Sequence, residues 1–377
     1  MFSTIRKGLL ASAIGIGLLV GSSHAATSYS GLVIFGDSIS DTGNVLSLTT
    51  AFKPPAFPTF PGAEGRFSNG RVWTEYLADD LGFASSANPS NLFFTGASVI
   101  PIGALGGQNF AYGGARTGLG GSAGATTGLL GQLVAWDGTA SILAPGGGLT
   151  RPADPNALYV VMAGANDLRD IRTANSATDA MSIELRATGA STVAQGVTNA
   201  LGLLANAGAR HFLISSLPDL GLTPEAVTAG NVAASRDITL SFNSALAGKT
   251  ASFEAGFNLA NNVDLDIRTL DFYGLVNRVA DDALNHGGTN YGITNITSPC
   301  INPAAPTVYF FPGSTGPGCS VAAFSDDLHP SGKSHQLLGA LALQTALAPV
   351  PEPSEYAMLI AGLMVVVGMR RRAQAAV

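Results

Sequence analysis

The chain has 377 residues, only 12% of them charged, with a net charge of -6. No basic patch interrupts that balance, so nothing in the composition suits a nucleic-acid partner. The length is ample for a buried core in one large domain or two ordinary ones, and no boundary forces two.

Arg6 and Lys7 precede an apolar run from Gly8 to Val20, then Ser23-His24-Ala25. That order predicts a secretory signal peptide over residues 1–25, cleaved after Ala25. The alternative is a membrane anchor, for which the run is short.

In the remaining chain, Leu32 to Phe35, Leu158 to Met162, Phe212 to Ser215 and Val263 to Ile267 are short apolar runs. Each is continuous rather than alternating, which predicts strands buried on both faces. Val72 to Leu81, Val193 to Ala205, Asp237 to Phe253 and Phe272 to Leu284 carry apolar residues at helical spacing. Strand and helix in alternation predict a parallel sheet with helices on both sides. Ser85 to Pro101, the glycine-rich Gly103 to Gly131 and Asn285 to Gly318 read as loops at a substrate-facing rim.

The first predicted strand runs directly into Gly36-Asp37-Ser38-Ile39-Ser40-Asp41-Thr42-Gly43-Asn44. Ligands of open parallel sheets bind beyond the carboxyl ends of strands, so Ser38 stands where a nucleophile meets a substrate. Alone, the same triplet reads as a polar turn that caps a helix. Near the other end lies Ser325-Asp326-Asp327-Leu328-His329-Pro330-Ser331, followed by an apolar helical stretch to Leu347. Proline disfavours helix at the preceding residue and suits a helix's first turn, which places His329 on a loop at a helix entrance. A carboxylate three residues earlier can fold back onto the imidazole. Alone, this segment reads equally as an acidic helix start with an incidental histidine.

Two further stretches offer donors for a developing oxyanion. Asn109-Phe110-Ala111-Tyr112-Gly113-Gly114-Ala115 has glycine N–H groups that no side chain obstructs, and Gly164-Ala165-Asn166-Asp167 presents an amide after a predicted strand. Gly120-Gly121-Ser122-Ala123-Gly124 matches the nucleophile elbow by letter, but no predicted strand precedes Ser122.

Together and in this order, Gly36-Asp37-Ser38, Gly114, Gly164-x-Asn166-Asp167 and Asp326-x-x-His329 resemble the blocks of the GDSL/SGNH hydrolase superfamily. The likeness runs from about Leu32 to Leu347 and includes Gly65-Arg66-Phe67-Ser68-Asn69-Gly70-Arg71-Val72-Trp73, which is similar to a stretch of the family's secreted esterase/lipase branch. Ile39 stands where the family has leucine. The resemblance implies a three-layer α/β/α, flavodoxin-like domain over residues 26–349. It also implies Ser38 as nucleophile, His329 as general base and then acid, and Asp326 as its orienter, with Asp327 the less favoured partner. The oxyanion hole would combine the Ser38 and Gly114 backbone N–H groups with the Asn166 side chain. The expected activity is that of an exported esterase or lipase acting through an acyl-Ser38 intermediate. An acyltransferase with the same residues and a silent surface or matrix protein are the rivals. Lipid, short-chain ester and acylated polysaccharide all stand as substrates.

Cys300 and Cys319 are expected to pair, since an exported chain meets an oxidising compartment. Closing that loop would contribute about 3 kcal/mol. His211, His286 and His335 read as structural, and no cluster has metal-ligand spacing, so neither metal nor cofactor is expected. Pro351-Glu352-Pro353, the apolar run from Tyr356 to Met369 and Arg370-Arg371-Arg372 form a stop-transfer pattern over residues 350–377. This tail resembles the PEP-CTERM sorting signal, which implies signal peptidase and an exosortase as processing partners, and a protein at the cell surface or outside it.

Overall fold

A computed structural model describes residues 28–58, 63–301 and 318–349. The expected signal peptide and sorting tail lie outside these residues. Among the described residues, no helix is long and apolar enough to cross a membrane.

Strand β1 (Leu32–Gly36) is followed by a hairpin of β2 (Leu92–Phe94) and β3 (Val99–Pro101), then by β4 (Leu158–Met162), β5 (His211–Ser215) and β6 (Asp266–Leu270). The central sheet has the order β1-β4-β5-β6, and every pairing in it is parallel. The helices are α1 (Asn44–Phe52), α2 (Trp73–Asp80), α3 (Leu129–Asp137), α4 (Ala165–Ala174), α5 (Ala180–Ala207), α6 (Pro224–Thr228), α7 (Val232–Asn261), α8 (Phe272–Asn285) and α9 (Gly332–Ala346).

Successive strand residues point to opposite faces, and the two cores follow from that alternation. Val33, Phe35, Tyr159 and Val161 pack with Leu133 of α3, Val197 of α5 and Phe242 of α7. Leu32, Ile34, Leu158 and Val160 pack with Leu77 of α2, Leu275 of α8 and Leu338 of α9. All residues of β1 and β4 are buried, so two helical layers enclose the sheet as the continuous apolar runs require.

Four details differ from expectation. The last strand lies at Asp266–Leu270, not Val263–Ile267. It is an edge strand whose buried residues Arg268 and Leu270 alternate with the half-buried Ile267 and the exposed Thr269, and Val263 to Leu265 serve as the approach from α7. The glycine-rich region carries more order than a loop. Ile34 N–H donates to Gln108 O, while Phe110 and Tyr112 N–H donate to the carbonyls of Ile34 and Gly36, so residues 108–112 run along β1 as an added edge. Ser85 to Pro101 contains the β2–β3 hairpin. Finally, α9 begins after Pro330, because Ser331 takes the N-cap and accepts the Ser334 N–H at 3.2 Å.

Candidate active site

The carboxyl ends of β1 and β4 lead at once into Asp37-Ser38 and Gly164-Ala165-Asn166, so a parallel register alone brings these segments to one edge. The turn after Gly36 is held locally. Asp37 O accepts the N–H groups of Ser40 and Asp41, and its carboxylate accepts the Ile39 N–H at 3.0 Å. Burial pushes the Asp37 carboxyl up to about 6, against that hydrogen bond. Gln132 of α3 braces the turn from behind, accepting the Gly36 N–H at 2.9 Å and donating to Gly36 O at 2.7 Å.

Asp326 folds back as its spacing suggested. One carboxylate oxygen accepts the N–H groups of Leu328 and His329, at 2.8 and 2.6 Å, and the other lies 2.7 Å from His329 Nδ1. Burial raises the Asp326 carboxyl, but the His329 charge and these donors outweigh it and hold the group below its ordinary value. His329 Nε2 lies 2.8 Å from Ser38 Oγ. Asp327 is exposed and its carboxylate is not bonded to the imidazole; its carbonyl accepts the Glu225 N–H at 2.8 Å.

The 108–115 segment turns toward Ser38 at Gly113-Gly114. A side chain at Gly113 would meet the Phe67 ring at 2.2 Å, and Gly114 has φ +75, so both positions need glycine. Asp41 supports this turn. It accepts the Gly113 N–H at 2.9 Å and the Gly43, Asn44 and Val45 N–H groups at the start of α1, which ties the two segments together. Burial pushes Asp41 up to about 6, against those four donors. The Ser38 and Gly114 N–H groups make no hydrogen bond within the described residues. Asn166 is buried in the first turn of α4 and donates to Ala115 O at 3.0 Å, which orients its amide beside that turn. Asp167 holds the same segment by accepting the Thr117 N–H at 3.0 Å.

The Gly65 to Trp73 stretch carries a role that residue types alone did not assign. The Phe67 ring packs at 5.3 Å from the His329 ring. Ser68 Oγ donates to Pro330 O at 2.9 Å, and Asn69 Oδ1 accepts the Gly332 N–H at 2.8 Å. The histidine loop is therefore gripped at His329 and on its C-terminal side. Asp41 and Asn44 were also missed, although an Asp two residues ahead of Gly43 and an apolar helical run is a recognisable helix start. Ser122 lies on a turn packed against Gly114, with no strand leading directly into it and, among the described residues, no hydrogen bond from its hydroxyl to a histidine or carboxylate.

Of the other histidines, His211 opens β5 and lies 3.3 Å from Asp266, and His286 caps α8 at the surface. His335 is fully buried, and its Nδ1 accepts the Trp73 N–H at 3.2 Å. Cys300 and Cys319 are joined by a disulfide. The Cys300 and Ile301 N–H groups donate to the carbonyls of Phe324 and Ser325, so the bridged segment backs the strand-like approach to Asp326.

The parallel sheet and the Asp326–His329–Ser38 hydrogen-bond chain at its carboxyl edge define an α/β protein with a serine-centred site. The GDSL-like Lipase/Acylhydrolase family profile matches residues 32–342, and the chain belongs to that family. It is 29% identical over 372 aligned residues to Esterase EstA of Pseudomonas aeruginosa, covering 91% of this chain and 51% of that protein. It is 40% identical over 96 residues to a GDSL esterase/lipase of Arabidopsis thaliana, covering 24% of this chain and 26% of that protein. A solved member of the lipolytic protein G-D-S-L family from Veillonella parvula aligns at 13% identity with a TM-score of 0.37, over 83% of this chain and 96% of that one. The chain thus spans about half, or less, of the length of these two curated relatives.

Proposed function

We propose that this protein is an exported serine esterase that hydrolyses carboxylic esters through an acyl-Ser38 intermediate. The observation that carries the reading is the unbroken Asp326–His329–Ser38 hydrogen-bond chain beside two unspent backbone N–H groups. His329 takes the proton of Ser38 Oγ as that oxygen bonds to the ester carbon. The carbon–alkoxy bond then breaks, and His329 returns the proton to the departing alcohol. Water repeats the cycle in reverse roles and releases the acid. Asp326 orients the imidazole and stabilises its charge, while the Ser38 and Gly114 N–H groups and the Asn166 amide receive the oxyanion.

The test is hydrolysis of a chromogenic ester by the purified chain and by Ser38→Ala, with circular dichroism to verify the fold. Loss of turnover at an unchanged fold, with an organophosphate adduct mapped to Ser38, supports the reading; full activity in Ser38→Ala ends it. The export part rests on the Arg6 to Ala25 and Pro351 to Arg372 patterns. Intact mass of the protein recovered from its native host tests it, since an uncut chain of full length retained in the cytoplasm would refute export.

A further inference from the structure

Ser38 and His329 border two unlike spaces. One is an open cleft on the Gly114 side, where Lys53, Thr49 and Ser122 contribute polar groups. The other is a narrower, more enclosed pocket that runs from Ser38 between α8 and α9. Phe272, Leu275, Val276 and Val279 of α8 line it together with Leu337 of α9 and Phe324. Two of its charged neighbours are paired, since Arg169 binds Glu225 at 2.6 and 3.1 Å and the buried Asp219 pairs with Arg236 at 2.7 Å, while Asp37 accepts the Ile39 N–H at 3.0 Å.

We propose that the enclosed pocket holds the acyl chain of the ester, that α8 and α9 set its permitted length, and that the open cleft takes the alcohol. This rests on the reading of Ser38 as nucleophile. An acyl-enzyme retains its acyl group through a second step, whereas the alcohol leaves after the first. A closed apolar pocket suits the part that stays, and an open, partly polar cleft suits the part that departs. The hydroxyls of a sugar or glycerol would find few partners among these side chains, and burying them unpaired is unfavourable. Methylene groups gain by leaving water, about fourfold in rate for each one held in the transition state. The lining is apolar along most of its length, so the preferred substrates are esters of fatty acids rather than of acetic acid.

The experiment compares kcat/KM for p-nitrophenyl acetate and octanoate in the full chain and in Val276→Trp and Leu337→Trp, which fill the pocket from opposite walls at partly exposed positions. A parallel series keeps the acetyl group and varies the alcohol. The wild type should favour octanoate by at least about tenfold. Each tryptophan should bring the ratio to about one, by lowering octanoate turnover far more than acetate turnover and without changing the order of preference in the alcohol series. A wild type that handles acetate as well as octanoate overturns the proposal even if neither variant folds. Variants that alter only alcohol discrimination overturn it too, by assigning the pocket to the alcohol. A folded wild type with no Ser38-dependent turnover of any ester instead removes the underlying reading of Ser38.

Discussion

His329 Nε2 and Ser38 Oγ lie 2.8 Å apart although 291 residues separate them in the chain. Two supports make that distance possible. The turn after β1 is braced by Gln132, and the histidine loop is gripped by Phe67, Ser68 and Asn69. The pair, drawn from opposite ends of the domain, is therefore held by segments that lie between its members in the chain.

Asp326 rather than Asp327 should matter for turnover. Asp326→Asn is expected to lower kcat on the order of 10³- to 10⁴-fold, because the amide favours the wrong imidazole tautomer. Asp327→Asn should leave kcat within about threefold, since only its backbone carbonyl is engaged. Steady-state kinetics of both variants on one chromogenic ester decide the assignment.

Asn166→Ala removes one donor from the proposed oxyanion hole. The expected loss is about 10²- to 10³-fold in kcat with little change in KM, since the interaction exists chiefly in the transition state. An equal loss in substrate binding, with kcat intact, would contradict that role.

Ser68→Ala should act through His329 without touching substrate. It removes the shorter of two hydroxyl donors to the Pro330 carbonyl, Ser325 Oγ at 3.2 Å being the other, and loosens the loop, so kcat should fall by about tenfold at constant KM. Ser68→Thr, which keeps the hydroxyl, should restore most of the activity. Failure of that rescue would mark a packing defect instead.

His335 gives an acid-sensitive contribution to stability. Burial lowers its folded value to about 3, from an ordinary value of 6.5, so the fold keeps the ring neutral while the unfolded chain takes up a proton. Its contribution is fully present above pH 6.5 and is lost as pH falls toward 3. Relative to His335→Gln, the wild type should lose about 3 kcal/mol between pH 7 and pH 4. Urea unfolding at each pH measures it. The buried Asp37 and Asp41 act in the opposite sense, because their raised values favour the fold below pH 4 and that contribution fades as pH rises through about 6. The comparison with the variant, in which both aspartates are unchanged, isolates the histidine.

Much of this molecule was legible in its residues because the signals are local. The apolar runs at β1, β4 and β5 are short and continuous, as doubly buried strands require, and Asp326 reaches His329 within one short loop. The cysteine pair was likewise readable from its expected surroundings. Contacts between distant segments were not legible. Residues 108–112 become a sheet edge only because β1 offers free backbone groups, and no periodicity announces that. The grip of Ser68 on Pro330 spans 262 residues, and its partner is a carbonyl that every residue carries. The apolar pocket, too, exists only once α8 and α9 pack on the sheet. Sequence by itself determined the positions of the three inner strand runs and the local fold of the Asp326–His329 loop, since those depend on local propensity and hydrophobic pattern. Tertiary structure alone decided which carbonyl, which ring and which cavity each of them meets, because those contacts depend on the relative placement of elements far apart in the chain.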